Sequence, residues 1–92
     1  MTYSLIPSRR YIRTYKRIHP KQLFDVHEAL KAIQAMPSIG VQKVGDLAGL
    51  MVHKFISGNQ ELLIAYTVNE ERKEITLEAL GPHENFYRDL KR

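Results

Sequence analysis

The segment that closes the chain, residues 81–92, combines residue types that transfer protons with residue types that carry positive charge. His83 and Tyr87 are four positions apart, a spacing that places two side chains on one face of a helix. An imidazole exchanges a proton near neutral pH, and a phenol can donate a hydrogen bond. Three cations complete the segment: Arg88, Lys91 and Arg92. We therefore expect a functional site at this end of the chain.

The elements that must position this segment are predicted from the second half of the sequence. Residues 74–80 alternate, with Ile75, Leu77 and Ala79 on one face of a strand. Gly81-Pro82 is typical of a turn, and a short helix should follow it. Two more strands, over residues 51–56 and 61–68, precede this one and are joined by turn residues at 57–59. The three strands predict an antiparallel meander, and its apolar middle strand should be covered on both faces.

The first half of the chain is predicted to be mainly helical. A short strand over residues 2–6 ends at Pro7, and Ser8 can cap a helix that runs to about Ile18. Pro20 suits the first turn of a second helix, which should end near Met36. Residues 38–49 contain three glycines and are expected to form a loop. The predicted fold class is α+β: an antiparallel β-meander packed against an N-terminal helical hairpin, with a short C-terminal helix.

Size and composition limit the classes of protein to consider. Ninety-two residues, 43% apolar and 26% charged, are expected to form a single domain over residues 1–92. No apolar stretch is long enough to span a bilayer, and the first residues lack a secretory hydrophobic segment. There is no cysteine, so disulfides and thiolate sites are excluded. We expect a cytoplasmic protein.

Positive charge is concentrated near the start of the chain, although the net charge is only +4. A block of cations lies before the first acidic residue, Asp25, without the interspersed acids of a salt-bridged helix face. Such a block is typical of binding to a nucleic acid, an acidic protein partner or an anionic membrane. We favour a polyanion or an acidic partner over a solvated helix face, and we expect no membrane partner. The candidate binding residues are Arg9, Arg10, Arg13, Lys16 and Arg17, with Lys43 in the glycine-rich loop.

Three features of the chain resemble the RelE/ParE toxins of bacterial type II toxin–antitoxin pairs. The order of elements is similar over essentially the whole length. Leu47-Ala48-Gly49, which precedes the basic strand residue Lys54, is similar to a Leu-x-Gly stretch of the family. The apolar strand over residues 63–68 and the terminus from Gly81 to Tyr87 complete the resemblance, and the terminus is its most specific part.

The resemblance implies a small cytoplasmic toxin that a cognate antitoxin protein neutralises. RelE-like members cleave mRNA in the ribosomal A site and so inhibit translation, whereas ParE-like members share the fold and inhibit DNA gyrase without nuclease chemistry. Fold alone does not decide between these activities. We expect a ribosome-dependent mRNA endoribonuclease first, a gyrase inhibitor as the alternative, and a non-toxic RNA- or antitoxin-binding protein as a weaker third possibility.

Residue roles follow from what RNA cleavage without a metal requires. A base must activate the 2′-hydroxyl, positive charge must stabilise the phosphorane, and an acid must serve the leaving 5′-oxygen. His83, Tyr87, Lys54 and Arg88 are the catalytic candidates. His53 neighbours Lys54 on the strand, so the two side chains should point to opposite faces, and the resemblance favours Lys54.

Two features of the sequence limit the site. Many RelE-like nucleases carry an arginine near the start of the central strand, and the matching stretch here, residues 60–66, contains no cation. A nuclease that relies on a histidine instead would fit His83. A ParE-like protein would need neither the arginine nor the histidine.

The four histidines share no metal-ligand spacing, and the glycines form no nucleotide-binding loop. We therefore expect neither a metal nor a small-molecule cofactor.

Overall fold

The computed structural model describes residues 2–84 and 86–91. Its five strands are β1 (Ser4–Pro7), β2 (Val41–Gln42), β3 (Met51–Ser57), β4 (Gln60–Asn69) and β5 (Glu74–Pro82). Its helices are α1 (Arg9–Tyr15), α2 (Pro20–Ala35) and α3 (Phe86–Leu90). Short 3₁₀ turns cover Pro37–Ile39 and Gly45–Leu47. The predicted α+β class and the helical hairpin before the meander are confirmed.

All five strands form one sheet, in the order β1-β5-β4-β3-β2. The predicted antiparallel meander is confirmed for β3, β4 and β5. Two strand pairings were not predicted from the sequence. β1 pairs with β5 in parallel, and the two residues of β2 pair with β3 inside the segment expected to be a loop.

The sheet separates two apolar clusters. On one face, Tyr11 of α1 and Val26 and Ile33 of α2 pack against β4 and β5; we call this the helix face. On the other face, Phe86 of α3 packs against the second cluster, which contains Val52, Leu63, Ala65 and Ala79; we call this the α3 face. Residues 62–66 of β4 are all buried, so the prediction that this strand is covered on both faces is confirmed.

A bulge in β5 overturns the predicted alternation of that strand. Tyr66 pairs with Leu77 and Ala65 pairs with Ala79, so Glu78 is an extra residue between them. Ile75 and Leu77 lie in the helix-face cluster, as expected for neighbours in alternation, but Ala79 lies on the α3 face. The Ser8 hydroxyl donates to the Glu78 carbonyl at 3.0 Å. The same Ser8 side chain caps α1 by accepting from the Tyr11 N–H, so one residue joins the bulge to the start of α1.

Some predicted boundaries were wrong; β1, for example, covers Ser4–Pro7 rather than residues 2–6. β5 extends through Gly81-Pro82, because these residues pair with Leu63 and Leu62 of β4; Gly81-Pro82 is therefore not a turn. A proline is tolerated there because β1 pairs with β5 only as far as Leu77, so this end of β5 is an edge of the sheet. α1 ends at Tyr15 rather than near Ile18, since the amides of Arg17 and Ile18 donate to carbonyls only three residues back. His83 lies in a bend before α3 and not on the helix.

Candidate active site

A groove on the α3 face brings together most of the predicted catalytic side chains. It has a volume of about 520 Å³ and lies between β2 and β3 on one side and the start of α3 on the other. We call it the histidine groove. Its lining consists of Ile39, Val41, Lys43, Val52, His53, Lys54, Leu63, His83 and Tyr87. A volume of this size is typical of small-ligand sites.

His83 is held at the edge of the groove by backbone hydrogen bonds. Its N–H donates to the Glu61 carbonyl at 3.1 Å, and its own carbonyl accepts from the Phe86 N–H at 3.3 Å. The imidazole meets the Tyr87 ring edge-on, with centroids 6.3 Å apart and planes at 85°. The two side chains are neighbours as the sequence predicted. They do not, however, share the one helix that the sequence predicted; His83 lies in the bend before α3, and Tyr87 lies in the first turn of α3.

Tyr87 is placed by the anchoring of α3. Phe86 is buried in the cluster beneath the helix and meets the Tyr87 ring edge-on at 5.4 Å. The Lys43 ammonium lies 4.9 Å from the centre of the Tyr87 ring, a cation–π contact. Lys43 was predicted only as an RNA-binding residue, and the structure brings it into the same groove as His83. One face of the Tyr87 ring is therefore covered by a cation.

Lys54 enters the groove from β3, opposite Leu63 of the α3 face. Its ammonium lies 3.8 Å from the Glu61 carboxylate, and an exposed pair of this kind adds little stability. His53 also borders the groove, but its ring stacks on Phe55, which packs against the helix-face cluster. Burial lowers the pKa of His53. The two side chains leave β3 on opposite faces, as expected, yet both residues lie on the lining of the groove.

Arg88 is not part of the histidine groove. Its side chain is exposed and its guanidinium lies 3.9 Å from the neighbouring Asp89 carboxylate. Of the other terminal cations, Lys91 lies 3.7 Å from the Asp46 carboxylate, and Arg92 lies outside the described residues. The structure thus brings together His83, Tyr87 and Lys54 from the predicted catalytic set and leaves Arg88 apart.

A second groove, also of about 520 Å³, lies on the opposite flank of α3. Arg10, Arg13 and Arg17 of the predicted basic block line it, and we call it the arginine groove. Arg10 donates to the Leu90 carbonyl at 3.1 Å and so ties α1 to α3. The acidic side chains Glu84 and Asp89 also line this groove. Arg9 and Lys16 are exposed and lie outside its lining.

Sequence reasoning missed two contributions to the histidine groove. Glu61 holds the backbone of His83 and lies beside the Lys54 ammonium, but no motif marks it. Ile39 and Val41 form an apolar wall because the segment before β3 returns to the sheet edge as β2.

Within the described residues, no cluster of three or more histidine, aspartate or glutamate side chains could hold a metal ion. No helix in that part of the chain is long and apolar enough to cross a membrane.

The arrangement offers the His83 imidazole, the Tyr87 phenol and the ammonium groups of Lys43 and Lys54 around a single cleft, with the His53 ring at its border. These groups can move protons and stabilise negative charge at a phosphate.

Over residues 5–91, the chain matches the ParE-like toxins of type II bacterial toxin–antitoxin systems. The chain belongs to this family. No curated protein matches this ParE-like toxin significantly in sequence.

Solved structures of RelE toxins share the fold of this ParE-like toxin. A double arginine mutant of E. coli toxin RelE in the free state has a TM-score of 0.75 at 17% identity, covering 95% of this chain and 90% of that one. The RelBE toxin–antitoxin complex from Mycobacterium tuberculosis has a TM-score of 0.78 at 16% identity, covering 90% of this chain and 100% of that one. The intact E. coli RelBE complex has a TM-score of 0.73 at 17% identity, covering 89% of this chain and 98% of that one. The predicted RelE-like fold is therefore confirmed.

Proposed function

We propose that this ParE-like toxin is a metal-independent, ribosome-dependent mRNA endoribonuclease that inhibits translation. The observation that supports it best is the convergence of His83, Tyr87, Lys43 and Lys54 on one groove. A gyrase inhibitor needs no such set of proton carriers and cations around a cleft. Because ribosomes are its proposed site of action, the toxin would work in the cytoplasm.

In the proposed reaction the substrate's own 2′-hydroxyl attacks the adjacent phosphate. The His83 imidazole accepts the proton of the 2′-hydroxyl as the new bond from oxygen to phosphorus forms. The Lys54 and Lys43 ammonium groups stabilise the negative charge of the phosphorane. The bond to the 5′-oxygen then breaks, and that oxygen takes a proton from the Tyr87 hydroxyl. The products are a 2′,3′-cyclic phosphate and a 5′-hydroxyl. Transfer of a proton from the His83 imidazolium to the Tyr87 phenolate restores the enzyme, and no water is consumed.

We also propose that a cognate antitoxin neutralises the toxin. Membership in a toxin–antitoxin family supports this, as do the RelE relatives of the same fold that were solved in complexes with antitoxins. The basic character of α1 and of the arginine groove supports contacts with ribosomal RNA, which carries a dense negative charge.

The arginine groove keeps a second candidate function open. Arg13 and Arg17 make no ion pair among the described residues, and their groove lies apart from His83. A protein-binding toxin such as a gyrase inhibitor could use that surface alone.

Replacement of His83 separates the two functions. We expect a His83→Ala variant, expressed without antitoxin, to lose growth arrest, because the proton acceptor is gone. A matched His27→Ala variant should keep it, since His27 lies on α2 and bonds to Tyr15 rather than lining the groove. Both variants should be checked for folding by thermal unfolding. If folded His83→Ala still arrests growth, the nuclease proposal is wrong and the gyrase alternative gains support.

A further inference from the structure

The histidine groove has an apolar wall that the proposed chemistry does not use. Ile39 is 41% exposed and Val41 is 63% exposed, and both side chains line the cleft that holds the cations. Val41 is paired with Val52 across the β2–β3 ladder, so its side chain lies on the same face as the groove floor of Val52 and Leu63. We call Ile39 and Val41 the aliphatic wall.

The position of this wall is fixed by a buried tyrosine. Tyr66 is fully buried; its hydroxyl donates to the Pro37 carbonyl at 2.7 Å and accepts from the Gly40 N–H at 2.9 Å. A Cβ at Gly40 would lie only 2.5 Å from that hydroxyl oxygen. The backbone on both sides of Ile39 is therefore clamped to the sheet. An exposed apolar surface held in this way is preorganised for a ligand.

The chemistry around the wall restricts what that ligand can be. The groove combines water-exposed aliphatic surface with the cations Lys43 and Lys54, so it suits a ligand with one apolar face and one anionic group. A nucleotide has both, and flipped or splayed bases do pack between aromatic and apolar side chains. Tyr87 is the aromatic residue of the groove on which a base would be expected to stack. Its ring is already in contact with Lys43 on one face and with His83 and Phe86 in edge-on arrangements. The aliphatic wall is therefore the more open surface for a base.

We propose that the aliphatic wall of Ile39 and Val41 binds the nucleobase of the reacting nucleotide while its phosphate lies at Lys54 and His83. This inference rests on the proposed nuclease function and adds its specificity-determining surface. Aliphatic side chains offer no hydrogen bonds to base edges, so the wall selects by the area of the ring. Purines, with the larger face, should bind more tightly than pyrimidines.

The first arm of the test needs no catalysis. Trinucleotides of 2′-O-methyl RNA, which lack the attacking hydroxyl, are titrated to millimolar concentration into protein with labelled methyl groups. We expect shifts and base-to-methyl nuclear Overhauser effects at Ile39 and Val41, but not at Val44, which is 85% exposed and lies outside the groove lining. Val41→Ser should weaken binding about tenfold, and the matched control Val44→Ser should leave it unchanged.

The second arm maps cleavage on programmed ribosomes. Val41→Ser should flatten the base preference at the cleaved position while His83-dependent cleavage continues, and Val44→Ser should cleave like the wild type. Methyl groups at Ile39 and Val41 that stay unshifted, or an unchanged base preference in Val41→Ser, would overturn the aliphatic wall as a base site. An equal loss of cleavage in Val41→Ser and Val44→Ser would overturn the base site in favour of a protein-docking surface. If the wild-type protein shows base contacts but never cleaves mRNA, the nuclease proposal is wrong and the base site stands.

Discussion

Lys54 and Arg88 show at the level of single residues why charge alone does not identify a site. Both are exposed cations that the sequence marked as catalytic candidates. Lys54 lines the histidine groove, whereas Arg88 pairs with Asp89 outside it. Only a cation that faces the reacting phosphate can stabilise its charge in the transition state.

We predict that Lys54→Met lowers the single-turnover rate of mRNA cleavage on ribosomes by about a hundredfold, the usual effect of removing one charge-stabilising group. Arg88→Met removes the same charge with the same replacement and should change the rate by less than about threefold. Rapid-quench measurements of both variants test the assignment. An equal loss in the two variants would mean that Arg88 belongs to the site after all.

His53 gives a residue-level prediction on stability. Burial lowers its pKa, so between its folded pKa and its unfolded value the unfolded chain binds more protons than the folded one. The free energy of unfolding should then fall as the pH drops below about 6.5, the ordinary histidine value. His53→Gln should reduce this loss. Urea unfolding of both proteins between pH 7.5 and 5.0 measures it, and parallel stability curves would contradict the prediction.

At the scale of elements, the sequence predicted what period and turn chemistry determine. The meander, the apolar central strand and the capping of α1 by Ser8 all carry local signals. The parallel pairing of β1 with β5 does not, because it joins residues about seventy positions apart. The bulge at Glu78 is also invisible locally, since it depends on the register with β4 and on the Ser8 hydroxyl. Because of the bulge, Ala79 lies on the α3 face, where it belongs to the cluster against which Phe86 of α3 packs.

The clamp between Tyr66 and the segment 37–40 is testable at this scale. Tyr66→Phe keeps the buried ring but leaves the Gly40 N–H and the Pro37 carbonyl without their partner. We expect a loss of about 1–3 kcal/mol in the free energy of unfolding and faster hydrogen exchange at the Gly40 amide. Tyr3→Phe is the matched control, since the Tyr3 hydroxyl bonds to Glu70 at the exposed surface. A Tyr66→Phe loss no larger than that of Tyr3→Phe would contradict the clamp.

At the scale of the whole molecule, α3 separates two basic grooves. The histidine groove carries the candidate chemistry, and the arginine groove carries part of the N-terminal basic block. Sequence reasoning found both sets of charges but could not predict their arrangement, because α3 and α1 meet only in the tertiary structure. The Arg10 bond to the Leu90 carbonyl joins them.

If the arginine groove binds RNA phosphates, the affinity for ribosomes should depend on salt through Arg13 and Arg17. Replacing both with alanine should reduce the slope of log affinity against log salt concentration by about 0.7–0.9 per arginine. Lys31→Ala is the control, since Lys31 pairs with Glu28 on α2, away from both grooves. Binding titrations across a series of salt concentrations provide the slopes. A slope that the double replacement leaves unchanged would exclude phosphate contacts by this pair.

We propose that this ParE-like toxin cleaves mRNA on the ribosome. The most direct test maps new mRNA 5′ ends in a reconstituted translation reaction, with and without ribosomes, using antitoxin-free protein and its His83→Ala variant. We expect new ends within codons, only when ribosomes are present and only with the wild-type protein. An absence of new ends from wild-type protein that still arrests growth would contradict the claim.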